Sequence, residues 1–176
     1  MDRSLYGPSH GLVSAATLLA AATISLVIWL PAGEAMSAEP LEARGEREIV
    51  ELHAFFQGWY RGELEGGDFE RFAAVLAEEF VIVLPGPRVL DREAILDGVR
   101  GQHDSDPRAE ISIRNVRLQQ KFGSTAIFTY EEWQSRRGEP ARGVLSTVVF
   151  GFDDETPNGL VWLHVHESEL PGDGAS

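Results

Sequence analysis

The sequence predicts an α+β fold in which three N-terminal helices lie on the concave face of a curved antiparallel sheet. Two observations carry this. Helical periodicities crowd the first part of the domain, before residue 100, and four strand-like stretches, 109–120, 124–135, 142–153 and 160–168, then follow without another helix. Turn signals at Phe122 and Gly123, at Gly138 to Pro140 and at Thr156 to Gly159 make those stretches an antiparallel meander. Helices that all precede a meander can cover only one of its faces.

No charged residue occurs between Gly11 and Ala32, and the run from Leu12 to Leu30 is almost wholly apolar or small. A secretory signal has an apolar core of about 7 to 15 residues and a membrane span needs roughly 17 to 25, so this run lies between the two. Pro31 breaks it, and small residues at Ala35, Ser37 and Ala38 form an acceptable cleavage site. Residues 1–38 are therefore expected to be a signal peptide, with an uncleaved anchor through 12–30 as the alternative. The expected location is secreted or periplasmic, or membrane-anchored in the second case. Residues 39–45 read as a linker, 46–170 as the domain and 171–176 as a disordered tail.

The stretch EREIVELHAFFQGWYRGELE places Ile49, Leu52, Phe56, Trp59 or Tyr60, and Leu64 on one helical stripe. Gly66 and Gly67 end it, and Asp68 caps a short second helix with Phe69, Phe72, Ala73 and Leu76 on its buried side. A strand at 79–84 stops at Pro85, Gly86 and Pro87, and a short return at Val89 and Leu90 leads to a third helix capped by Asp91. The loop after it carries His103, Asp104 and Asp106, which match a metal site in type but also match ordinary turn chemistry.

Composition narrows function. The 176 residues carry a net charge of −13, which opposes nucleic acid or an anionic membrane surface as partner. With no Cys there is no disulfide, thiolate metal site or cysteine nucleophile. The last strand, LVWLHVHES, alternates two sets of side chains: Trp162, His164, His166 and Ser168 on one face, Val161, Leu163, Val165 and Glu167 on the other. Two histidines at i and i+2 share a face and suit zinc, but a site needs a third ligand, for which Glu132 is the best placed acid. The expectation is packed or interfacial histidines, with no metal and no cofactor.

The stretch GELEGGDFERFAAVLAEEFVIV, residues 62–83, followed by the Pro-Gly-Pro turn and a terminal HVHES, resembles the NTF2-like, cystatin-like cone superfamily. Within it the sequence is most similar to the SnoaL-like and DUF4440 group and to the association domain of calmodulin-dependent protein kinase II. The resemblance covers about residues 46–170. It implies a conical pocket between helices and sheet, with the outer sheet face paired to a second subunit. Symmetric pairing about each turn sets Val148 beside His164, Ser146 beside His166 and Phe150 beside Trp162. On that register Tyr130, Phe150, Trp162, His164 and His166 are expected on the outer face, in the interface. The smaller opposite face would line the pocket with Thr129, Glu131, Thr147, Val149, Leu163 and Glu167, joined by Phe56, Trp59 and Tyr60 from the first helix.

Ketosteroid isomerases in this superfamily hold an oxyanion with a Tyr eight residues before the Gly-Asp aspartate, the place of Tyr60 here. Their general base would fall at Leu84 and the acid partner of the Tyr near Val148, so both are missing. The pocket arginines of the kinase association domain would fall at Val149 and near Glu132, and neither is basic. The resemblance therefore implies an exported association or small-molecule-binding module, a homodimer with an unknown ligand and no recognisable catalytic set. A SnoaL-like or ketosteroid-isomerase-like enzyme (isomerase, cyclase or hydrolase) acting on a small apolar ligand is the alternative.

Overall fold

A computed structural model describes residues 39–86 and 88–171. The expected signal or anchor, its cleavage site and nearly all of the expected tail lie outside the described residues. Among the described residues no helix is long and apolar enough to cross a membrane.

Helix α1 spans Leu41–Arg61, so most of the stretch read as a linker is its first turn. Its buried stripe holds Ile49, Leu52, Phe55, Trp59 and Tyr60. It stops at Gly62, which adopts φ 71°, the left-handed conformation that glycine enters without a Cβ penalty. A 3-10 turn, Gly66–Asp68, carries a reciprocal cap between Glu65 and Asp68 and feeds α2, Phe69–Val75. Strand β1, Leu76–Leu84, begins where α2 ends, so Leu76 is a strand residue and not part of the helix. Strand β2 is Arg88–Asp91, and Asp91 then caps α3, Arg92–Arg100, by accepting from the Ala94 amide at 2.9 Å. The meander is β3, Glu110–Phe122, β4, Thr125–Ser135, β5, Arg142–Phe152, and β6, Leu160–Glu169.

The sheet order is β2-β1-β6-β5-β4-β3. Strand β1 joins β6 in parallel, so the sheet is mixed and not wholly antiparallel. Between β4 and β5, Phe128 lies opposite Val148 and Tyr130 opposite Ser146. Between β5 and β6 the expected register holds only at Phe150 opposite Trp162. A bulge at Leu163 then sets Val149 opposite His164, Val148 opposite Val165, Thr147 opposite His166 and Ser146 opposite Glu167. One extra residue exchanges the faces of everything beyond it. Trp162, Val165 and Glu167 thus share the concave face, and His164 and His166 the convex one.

The expected assignment of faces is also reversed for β4 and β5. Tyr130, Phe128, Phe150, Val148 and Ser146 are buried on the concave face, under the helices. The reason is volume: the large rings are what α1 packs against. The helix passes so close at Gly45 that a Cβ there would run into the Phe128 ring. Glu48, fully buried on α1, accepts from Trp162 Nε1 at 2.9 Å and from Asn158 Nδ2 at 2.8 Å, and pairs with Arg71 at 2.8 Å. This network fixes α1 on α2, β6 and the β5–β6 turn.

Candidate functional site

The helices do not fill the concave face completely. A cavity of about 190 Å³ remains between α1, α3, β1, β4 and β6. Its walls follow from simple periodicity. His53, Phe56 and Tyr60 stand at i, i+3 and i+7 on one side of α1, and Phe80, Ile82 and Leu84 alternate along β1. Ile95 and Val99 come from α3, and Phe72 from α2. Strand β4 contributes Tyr130, Glu132 and Gln134, and β6 contributes Trp162, Val165 and, past the bulge, Glu167.

One end of this apolar chamber is polar. His53 and Glu132 are buried, with Nε2 3.2 Å from Glu132 Oε2 and Nδ1 2.6 Å from the Ile49 carbonyl oxygen. The carbonyl accepts only, so Nδ1 carries a proton; Nε2 faces a carboxylate and bonds to it best when protonated as well. Burial lowers the imidazole pKa, but the charge and hydrogen bond of Glu132, the Ile49 carbonyl and the charge of Glu167 outweigh it, and the net shift is upward. Burial likewise raises Glu132, and His53 together with a hydrogen bond from Gln134 reverses this to a net lowering. The two shifts agree on an imidazolium–carboxylate pair.

Glu167 lies across from that pair. Burial, then the negative charge of Glu132, pushes its carboxyl up to about 7, against smaller opposing effects of His53 and Arg88. Burial also raises Tyr130 well above the usual phenol range, with Glu132 and Glu167 adding to it. Tyr130 is close enough to Ser146 to be pulled slightly back, yet no well-formed hydrogen bond reaches the buried Ser146 Oγ among the described residues. Tyr60 is raised by burial while Arg136, whose guanidinium carbon sits 3.9 Å from the ring centroid, lowers it in part. Both phenols are therefore neutral donors at physiological pH.

Glu132, Gln134 and Glu167 also border an outer vestibule of about 420 Å³ that carries Arg136, Glu139 and Arg142. Arg136 is held there by Gln102 Oε1 at 2.8 Å and faces Asp106 Oδ2 at 3.5 Å.

Of the residues expected in the pocket, Phe56, Tyr60 and Glu167 line it. Trp59 does not. Its ring lies among Phe55, Phe69 and His103, and its Nε1 donates to the Val99 carbonyl at 2.8 Å. Thr129, Glu131, Thr147, Val149 and Leu163 lie on the convex face. There Thr129 accepts from Gln119 at 2.8 Å and Glu131 from Asn115 at 2.8 Å. Among the residues expected in an interface, Tyr130 and Trp162 line the cavity and Phe150 is core, while His164 and His166 stand on the convex face. His103 bonds to the Leu64 carbonyl, and Asp106 accepts from the Arg108 and Arg137 amides, which is turn chemistry. Among the described residues no group of three or more His, Cys, Asp or Glu is placed to hold a metal. His53 was missed by sequence reasoning, although its spacing to Phe56 and Tyr60 places it on the same helical side. Leu84, at the position where the isomerase base would stand, does line the cavity.

The chain covers about a third of the length of two curated relatives. Over 134 residues, 73% of this chain and 31% of each relative, it is 28% identical to sucrose-phosphatase 1 and 27% identical to sucrose-phosphatase 2 of Nicotiana tabacum. Among solved structures it is similar to an NTF-2 like protein of unknown function from Pseudomonas aeruginosa. That match has 30% identity and a TM-score of 0.67, over 73% of this chain and 99% of the other. The calcium/calmodulin-dependent kinase II hub of S. rosetta matches at 18% identity and TM-score 0.59, over 76% of this chain and 98% of the hub, and shares the fold alone. The family model for the sucrose-6-phosphate phosphohydrolase C-terminal domain matches residues 45–171. With that match and the cone architecture, the chain belongs to the sucrose-6-phosphate phosphohydrolase C-terminal family and has the NTF2-like fold.

Proposed function

We propose that this is an exported association module that binds a small molecule in its cone and pairs with a second copy through the convex face of its sheet. The observation that carries the ligand is the cavity: an apolar chamber of about 190 Å³ with His53, Glu132, Glu167, Tyr60 and Tyr130 converging on it. Small-molecule sites combine mostly apolar walls with a few placed polar groups in this way. The chamber is below the roughly 300 Å³ of drug-sized sites, so its occupant is small. Two carboxylates make a phosphorylated sugar a poor one, so the activity named for the tobacco relatives is not assigned here.

Self-association is supported by the convex face. Leu145 is 42% exposed there, and Val81, Val83, Val149 and Leu163 are only half-buried. A fold neighbour is itself a hub domain, which is compatible with self-association. Export is supported by the charge-free run before residue 33. A thermal-shift screen of small fragments on the full chain tests the ligand. Several fragments that raise the melting temperature in the wild type but not in Tyr130→Trp, which fills the chamber, are the expected result. A screen without a single such fragment would refute the reading.

One observation favours a second reading, an acid–base enzyme of the SnoaL-like kind. Glu167 titrates at about 7 beside a buried imidazolium–carboxylate pair and two neutral phenols, and shifted groups in a cavity are a mark of catalysis. Turnover of a ketone or alcohol that falls more than a hundredfold in Glu167→Gln would establish it.

A further inference from the structure

The buried or half-buried carboxylates of this domain are nearly all matched. Glu132 has His53 and Gln134; Glu48 has Arg71, Trp162 and Asn158; Asp106 has two backbone amides. Glu167 is different. It borders both the chamber and the vestibule, and among the described residues no hydrogen bond reaches it. Tyr130, Ser146 and Glu167 form one cross-strand row on the concave face. Two strand spacings, about 9 to 10 Å, therefore separate the Tyr130 and Glu167 backbones, and both side chains border the chamber. Around it stand the rings of Phe56, Tyr60, Phe72, Phe80 and Trp162. Ring faces attract cations, most strongly where water is excluded.

We propose that the occupant of the cone is a small organic cation, a protonated amine whose ammonium group meets Glu167 and the Tyr130 ring while its apolar body lies among Phe56, Phe72 and Phe80. This rests on the ligand-binding reading above and names its ligand class. A cavity of roughly 150 Å³ holds benzene, so about 190 Å³ suits a body of about eight heavy atoms. The charged groups that face Glu167 favour a cation. The imidazolium of His53 on α1 is cancelled by Glu132 on β4, and Arg88 on β2 is exposed. Tyr60 and Tyr130 are neutral. In the vestibule Arg136 is engaged by Gln102, Asp106 and the Tyr60 ring, and Glu139 accompanies Arg142.

Three near-isosteric probes separate the possibilities: benzylamine, benzyl alcohol and benzoate, titrated calorimetrically into the full chain at pH 6 and pH 8. Benzylamine is expected to bind at least about tenfold tighter than benzyl alcohol at pH 8. Its affinity should rise about tenfold from pH 6 to pH 8, because Glu167 must ionise to receive it and does so near 7. Glu167→Gln should remove both the preference and the pH dependence, while Glu131→Gln, on the convex face, should keep both. Benzyl alcohol or benzoate binding as tightly as benzylamine, or an amine preference that survives Glu167→Gln, overturns the assignment and leaves a cavity for other ligands. No binding by any probe at millimolar concentration overturns the ligand-binding reading for occupants of this size, and the amine with it. Should Glu167→Gln fail to fold, the three wild-type affinities at two pH values decide alone.

Discussion

Removing a charged side chain from this cavity should make the protein more stable. The group is Glu167, whose folded pKa of about 7 stands above the 4.5 of an ordinary Glu. A folded value raised above the unfolded one means that the folded state binds the proton more tightly. The stabilisation is thus fully present below pH 4.5 and is lost as pH rises through about 7. At about 1.4 kcal/mol for each pKa unit, discounted for partial solvent access, the loss is on the order of 2 to 3 kcal/mol. Gln mimics the protonated carboxyl at every pH. Glu167→Gln should therefore match the wild type near pH 4.5 and exceed it by about 2 to 3 kcal/mol at pH 8. Urea unfolding of both proteins at pH 4.5, 6 and 8 measures this directly, and the difference between them isolates Glu167 from every other titrating group. Equal stability at pH 8, or a less stable variant, would refute the claim that the carboxyl is destabilised by burial and by Glu132.

The remaining expectations concern the pair, the helix contact, the sheet face and the leader. His53→Leu should cost about 3 to 5 kcal/mol in urea because it strands the buried Glu132 charge, whereas adding Glu132→Leu should recover most of it; a double variant as unstable as the single one refutes the pairing. Gly45→Ala should cost about 1 to 3 kcal/mol through its clash with the Phe128 ring, and an unchanged melting temperature refutes that contact. Leu145→Glu should turn a dimer into a monomer in sedimentation at micromolar concentration with little change in stability, while Phe150→Glu should unfold the domain; a wild type that is already monomeric ends the association proposal. Mass spectrometry of the protein recovered from cells should find a start near Ala38, and an intact Met1 in the membrane fraction would favour the anchor.

Most of the fold is legible in the sequence because it is written in periodicities. The stripe of α1, the capping residue Asp91 and the spacing of turns in the meander each specify a local element, and the strand order of the meander follows from connectivity; Asp68, expected to cap α2, instead turns its side chain back to accept from the Glu65 amide. The parallel seam between β1 and β6 is not legible this way, since no local signal says which strand meets the edge of the meander. The site was legible only in part. Phe56 and Tyr60 follow from the helix, but the faces of the sheet depend on which side the helices choose. The large rings of Tyr130, Phe150 and Trp162 suit a subunit interface or a helix–sheet core equally well by composition. Only the close approach of α1 at Gly45 and the Glu48–Trp162 hydrogen bond decide between them.

The Leu163 bulge has the largest consequence of any single feature. In an unbroken strand Trp162, His164 and His166 would share a face, and a helix covering the Trp162 ring would bury both histidines with it. The extra residue separates these demands. Before it, Trp162 faces inward and anchors α1; after it, Val165 and Glu167 face inward while His164 and His166 face out. The sequence pattern alone places Glu167 opposite Trp162, so Glu167 and Trp162 reach the same cavity only because of the bulge. Deleting Leu163 should therefore remove the bulge and keep the faces. With Leu163 gone, Trp162, Val165 and Glu167 alternate with His164 and His166 in one regular strand, in the register already made with β5. A folded variant that still titrates a carboxyl near pH 7 by carbon-detected NMR is the expected result, and a variant that fails to fold, or whose Glu167 titrates as an ordinary carboxyl, would refute this account of the strand.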